Sequence, residues 1–216
     1  MLHHITEDFE IIQRYAAIEK MEEETGGWAY HNLIHVQNVA NLVEQLLQGL
    51  TIDDTFKEEA KIAAILHDIG SLEGKAGHPI RSYEYARQYF QTHRLNLVHE
   101  NLVLDAIKCH SDGFETNNLM ALALILADKL DITKQRLAPA GYEVPGLNEI
   151  RFIDEIKITF NNQKLCINFI TQKSFNQTEF KNFYFAKKVF KAIKSFSKKL
   201  NLTYEVSLNN EAWSIE

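Results

Sequence analysis

The chain of 216 residues is poor in cysteine, proline and glycine, and none of its apolar runs is long. Its two cysteines, Cys109 and Cys166, are too few and too far apart for a disulfide framework or a cysteine-rich zinc site. They read as reduced thiols in a cytoplasmic protein. No stretch approaches the ~20 apolar residues that a membrane-spanning helix requires. The N-terminus, Met1-Leu-His-His-Ile-Thr-Glu-Asp8, has no basic region followed by an apolar one and does not read as a secretory signal. Repeats and low-complexity tracts are also missing. A large excess of one charge is absent too, but the net −6 is unevenly spread. Residues 1–150 hold 12 Lys/Arg against 23 Asp/Glu, a net −11, and residues 151–216 hold 11 against 6, a net +5. An acidic body argues against general nucleic-acid binding, while the basic end leaves room for an anionic ligand or partner.

What the chain does have is helical periodicity. Residues 6–24 carry Phe9, Ile12, Ala16 and Met21 on a loose helical period and stop at Gly26-Gly27. From His31 to Leu50 a broad apolar stripe predicts a second helix. Asp53 or Asp54 can cap a third that runs to Gly70. Pro79 suits the first turn of a helix reaching about Thr92, and two more are expected over 97–110 and 117–137. Residues 138–150 hold Pro139, Gly141, Pro145 and Gly146 and read as a linker or a long structured loop. Beyond them, 152–160 and 165–170 alternate as strands joined by a turn at Asn161-Asn162-Gln163. A helix over about 178–200 and a short strand, 202–207, complete the pattern. The fold class is mainly α: a helical domain over 1–137, then a small α+β appendage over 151–216.

Histidine is the residue to follow, because neutral imidazole binds mid-series divalent metals. His67 and Asp68 end the apolar run Ala63-Ala-Ile-Leu-His-Asp-Ile-Gly70, so both polar groups need a partner in apolar surroundings. A metal or a buried hydrogen-bonded pair would each supply one. His31 and His35 lie four apart on one helix face. Asp128 emerges from another apolar helix, in Leu124-Ile-Leu-Ala-Asp-Lys-Leu-Asp131.

Taken in order, Tyr30-His-Asn-Leu-Ile-His35, Leu66-His-Asp-Ile-Gly70 and Ala127-Asp-Lys-Leu-Asp131 resemble the HD superfamily of metal-dependent phosphohydrolases. The resemblance covers residues 28–137. It implies a metal held by His35, His67, Asp68 and Asp128, with His31 outside the ligand set. In binuclear members two further histidines lie between the His-Asp pair and the last aspartate, and His78 and His110 fall in those places. On that reading Asp68 bridges two ions and His78 and His110 hold the second. On the other, these two histidines merely terminate helices. The implied cofactor is a divalent metal, two ions on the binuclear reading, with iron or manganese first and magnesium, cobalt, nickel or zinc within range.

The implied activity is hydrolysis of a phosphate ester or nucleotide by a metal-bound hydroxide, with His67 and Asp68 at its centre. Lys129, Lys75 and Arg81 are the candidate phosphate-binding cations. Many family members have a lysine three residues after the aspartate of the His-Asp pair; this chain has Ser71, and Glu73 or Lys75 could substitute. No Gly-Tyr-Pro follows the ligands, Gly141-Tyr-Glu143 being late and without the proline, so the cyclic-dinucleotide subgroup is not indicated. A binuclear iron oxygenase of the same superfamily and a non-catalytic metal- or nucleotide-sensing module are the alternatives. The expected partner is a small phosphorylated molecule or nucleotide, with a homodimer compatible and neither membrane nor nucleic acid implied. The lysines of 181–199 read as a solvated face, and His3, His4, His93 and His99 as surface or cap residues.

Overall fold

Capping and burial explain where each helix starts and stops. The computed structural model describes residues 1–214, so the last two residues of the expected appendage, 215 and 216, lie outside the described residues. Helices α1 (Leu2–Thr6), α2 (Phe9–Thr25), α3 (Leu33–Gln48), α4 (Asp54–Leu66), α5 (His78–Thr92), α6 (Glu100–Cys109) and α7 (Leu119–Leu130) build the body. The side chains of Asp8, Asn32, Asp53 and Asn118 each accept a backbone N–H at the start of α2, α3, α4 and α7. These bonds satisfy donors that have no partner within the helix. Helix α7 is buried on all sides from Met120 to Leu130 and touches α3, α4, α6 and the later helix Tyr184–Lys199. It is the axis of the body.

Three expected boundaries are corrected. The helix expected from residue 6 starts at Phe9, where the Asp8 carboxylate caps it, and a short helix that was not expected, Leu2–Thr6, precedes it. The helix expected to reach Gly70 ends at Leu66, and the chain passes through His67 and Asp68 into a 3-10 turn, Ile69–Glu73. Helix α7 stops at Leu130 rather than near 137, since Asp131 leaves helical geometry (ψ 71°). A 3-10 turn, Lys134–Arg136, follows.

The C-terminal part is α+β, as the sequence reads. Strands β1 (Ile153–Asn161), β2 (Lys164–Thr171), β3 (Thr203–Leu208) and β4 (Glu211–Ala212) stand in the order β1-β2-β3-β4. The β1/β2 pair is antiparallel and turns through Asn162 at φ 55°, whereas β2/β3 is parallel. A parallel pair needs a long crossover, and α8 (Gln177–Asn182) and α9 (Tyr184–Lys199) supply it. The sequence pattern showed these two as one helix and missed β4. They separate because Phe183 is extended (φ −71°, ψ 133°). Helix α9 packs against α7, and its buried Val189, Ile193 and Phe196 belong to the same cluster as the body's core. Among the described residues no helix is long and apolar enough to cross a membrane.

Residues 138–150 are packed, not extended. They include the 3-10 turn Pro139–Glu143 and lead into another, Asn148–Phe152. Two glycines make this possible. A Cβ on Gly141 would lie 2.1 Å from the Trp28 carbonyl oxygen, and one on Gly146 (φ +81°) 2.7 Å from the Phe183 Cβ. Alongside, Tyr30 N–H donates to the Arg136 carbonyl (2.9 Å) and Ala138 N–H to that of Trp28 (3.2 Å). The short segment 28–30 is thereby fixed against 136–138. Gly141→Ala should therefore destabilise the protein by about 1–3 kcal/mol, as overpacking does, read as a lower denaturation midpoint. An unchanged midpoint would mean the two segments have room to part.

Candidate metal centre

The ends of five helices deliver six side chains to one point. His35 comes from the first turn of α3, His67 and Asp68 from the exit of α4, and His78 from the start of α5. His110 follows α6 and Asp128 lies in the last turn of α7. All are buried except His78, which is partly so. His35, His67, Asp68 and Asp128 each offer a ligand atom within 4.8 Å of the others, and so do Asp68, His78 and His110.

The fold sets the tautomer of every ring. His67 Nδ1 lies 2.7 Å from the Ala64 carbonyl oxygen, His110 Nδ1 2.8 Å from that of Ile107, and His78 Nδ1 2.8 Å from that of Lys75. A carbonyl oxygen can only accept, so each Nδ1 carries the proton. His35 Nδ1 is likewise 2.7 Å from the Asp131 carboxylate, whose other oxygen accepts from Asn38. Every Nε2 then turns its lone pair inward unless the ring is charged.

Those lone pairs surround Asp68. Its Oδ2 is 3.3 Å from His35 Nε2 and 3.1 Å from His67 Nε2. Its Oδ1 is 3.1 Å from His78 Nε2 and 3.5 Å from His110 Nε2. Asp128 Oδ1 adds contacts of 3.4 Å to His35 and 3.7 Å to His67. His78 and His110 bring their Nε2 atoms to 2.9 Å from each other. Lone pairs this close repel unless a cation lies among them. Consistent with that, His35 Nε2, His67 Nε2 and Asp68 Oδ2 are buried with no hydrogen-bond partner. Donors about 2.1 Å from a common ion would stand roughly 3.0–3.4 Å apart, close to the separations seen. The residues present fit a divalent metal.

The electrostatics agree. Burial opposes charge on His67, yet Asp68 and Asp128 outweigh it and raise its pKa to about 10. Burial alone would raise Asp68, but the surrounding imidazoles hold it well below the usual carboxylate range. Burial likewise opposes ionisation of Asp128, where Lys129 and the His35 and His67 rings win. The centre is a negative site demanding positive charge.

The candidate cations separate. Lys129 is buried and places Nζ 2.5 Å from Asp128 Oδ2, despite the ~100° between helix neighbours. Lys75 is exposed as a residue, but its amine turns inward to the buried His31 ring. His31 is in turn held by Glu22, through its backbone N–H (2.8 Å) and its Nδ1 (2.5 Å). Burial raises the pKa of Glu22 and lowers that of Lys75. Arg81 is directed elsewhere. Its guanidinium donates to the carbonyls of Gly70 (2.8 Å), Ala76 (2.7 Å) and Gly74 and pairs with Glu73, so it braces the loop 70–77.

Residues 32–133 match the family model described as the HD domain. The chain carries an HD domain. Comparison with curated proteins returns no match. That match suggests the superfamily of metal-dependent phosphohydrolases, whose HD domains bind divalent metals.

The sequence reading gave no role to three residues that the structure puts beside the cluster. Asp131 was visible as the i+3 neighbour of Asp128. Glu22, on α2, gave no local signal. Arg136, in the turn after α7, has its Nη2 4.0 Å from Asp128 Oδ1. Divalent metal should raise the melting temperature of chelator-treated protein, since an ion bound only to the folded state at about 100 times its Kd contributes ~2.7 kcal/mol. Identical melting with Mn2+, Fe2+ or Zn2+ and with chelator would show that the cluster binds none of them.

Proposed function

We propose that the protein is a metal-dependent phosphohydrolase with a binuclear centre, acting on a phosphate ester or nucleotide. The observation that supports this best is Asp68, whose two oxygens face different groups. One is turned to His35 and His67, the other to His78 and His110. His35, His67, Asp68 and Asp128 would hold one ion; Asp68, His78 and His110 would hold the second.

Ions bound there would lower the pKa of a water from 15.7 to about 7 and neutralise charge on the phosphoryl group. The protein's own part is positioning. The Ala64, Ile107 and Lys75 carbonyls and the Asp131 carboxylate accept from Nδ1–H and fix the ring orientations, so that every Nε2 is aimed inward, where a metal would take the place of any proton. Lys129 neutralises the outward oxygen of Asp128 and leaves the inward one free. Ser71 stands where many relatives have a lysine. Lys75 carries an ammonium near the same place from the next turn of the loop and would bind a phosphoryl oxygen. Iron or manganese is the metal we favour.

Phosphate release from a panel of esters and nucleotides, measured with Mn2+ and without oxygen, tests the reaction. Activity in the wild type that falls at least 100-fold in His67→Ala supports hydrolysis, and metal content without phosphate release counts against it. His110→Ala should lower the bound metal from two ions per chain to one. Asp131→Asn should weaken metal binding about 10- to 100-fold, measured by competition with a chelating dye.

A further inference from the structure

A cavity of about 510 Å³ opens beside the cluster, and its walls differ in character from end to end. The inner end is polar: Glu22, His31, Ser71, Lys75 and Arg136 face it. The outer part is aromatic and aliphatic. Its lining includes the exposed Trp28; Phe183, Tyr184 and Phe185 from the α8/α9 junction; and the buried Leu147 and Ile150.

Two groups at the inner end lack partners. Arg136 is only 8% exposed and its Nη1 makes no hydrogen bond; Ser71 is fully buried and its Oγ makes none. Burying a guanidinium N–H or a hydroxyl unpaired is costly, so both are poised to take an acceptor from outside the protein. Lys75 adds a positive charge, and Glu22 is already engaged by His31. Arg136 also reaches to 4.0 Å from Asp128 Oδ1, so the anion site adjoins the metal cluster.

The outer end is equally specific. Trp28 is 49% and Tyr184 57% exposed, among the large apolar side chains the fold leaves open. Single exposed aromatics need no explanation, but these two line one cavity. The backbone holds them there. Gly141 lies against the Trp28 carbonyl and Gly146 against Phe183, where the extended residue breaks α8 from α9. The volume falls within the ~300–1,000 Å³ of small-molecule sites. A bare phosphate or a short aliphatic ester would leave most of it empty.

We infer that this cavity receives the organic group of the substrate, that the group carries a flat aromatic ring which stacks against Trp28 and Tyr184, and that Arg136 and Ser71 bind a phosphoryl oxygen at the inner end. A nucleoside monophosphate is a phosphate monoester of this description. The inference rests on the proposed hydrolysis for its orientation, but the pocket can be tested alone.

Adenosine 5′-monophosphate and ribose 5-phosphate differ only in the base. Each is titrated into the full chain with chelator present to stop turnover, while tryptophan fluorescence is followed. The signal assigns itself, because Trp213 is buried and Trp28→Phe removes the exposed indole. The nucleotide should quench Trp28 and bind about ten-fold more tightly than the sugar phosphate, as stacking on aromatic side chains provides. Tyr184→Ala, at an exposed position, should lose most of that preference, and Arg136→Met should weaken both ligands alike. Equal affinities, no binding of either ligand, or a preference untouched by Tyr184→Ala overturns the inference. If phosphate is released from both esters at equal kcat/KM, the pocket assignment fails and the reaction stands. If the nucleotide binds with the expected preference but no metal-loaded protein cleaves it, the reaction fails and the pocket stands.

Discussion

Four imidazoles, each tied through Nδ1–H to an oxygen that the fold holds still, set the character of this molecule. Three of those oxygens are backbone carbonyls three residues before their rings, two of them in helices and one, of Lys75, in the loop that leads into α5. The chain that brings a histidine to the centre therefore also selects its tautomer. The price is a group of inward lone pairs around one buried carboxylate, which the protein alone does not neutralise. The helix spacing, the turn at His67-Asp68 and the early stop of α7 at Asp131 are all consistent with meeting that requirement. Asp131 leaves the helix at the position where its carboxylate is used on His35.

Burial amplifies the effect. Asp68 and His67 lie in a nearly waterless setting, where an uncompensated charge is far more costly than at the surface. Lys129 answers one half of Asp128 from within the same helix. What remains is negative on the inside and supported by cations at the edge. Such a field favours divalent metals over monovalent ones and then draws an anionic ligand towards the ions.

Much of this was legible from the sequence, for a definite reason. A histidine or aspartate at the end of an apolar helix has few ways to be satisfied, so His67, Asp68 and Asp128 stand out singly, while His35 was chosen over His31 only through the resemblance. His78 and His110 were readable only through the resemblance, since a helix end alone would also explain them. Arg136, Glu22 and the cavity were not legible. They depend on a short pairing of 28–30 with 136–138 across more than 100 residues of chain, and nothing local announces it. The break at Phe183 escaped for a similar reason. The lysine and aromatic pattern continues through it, and only the packing of Gly146 from a distant turn shows why the helix must part. The same glycines looked like linker composition because close approach and flexibility draw on the same residue.

The two glycine contacts have a consequence for how the protein could change. The six residues of the candidate metal cluster run from His35 to Asp128, while part of the cavity lining comes after residue 137. On the proposed function, reactivity and selectivity would be written in different stretches of the chain, joined by a segment in which Gly141 and Gly146 allow close packing. Small changes in that segment would widen or narrow the mouth and leave the metal ligands alone. A lineage could acquire a new substrate by editing a dozen residues that take no part in the reaction.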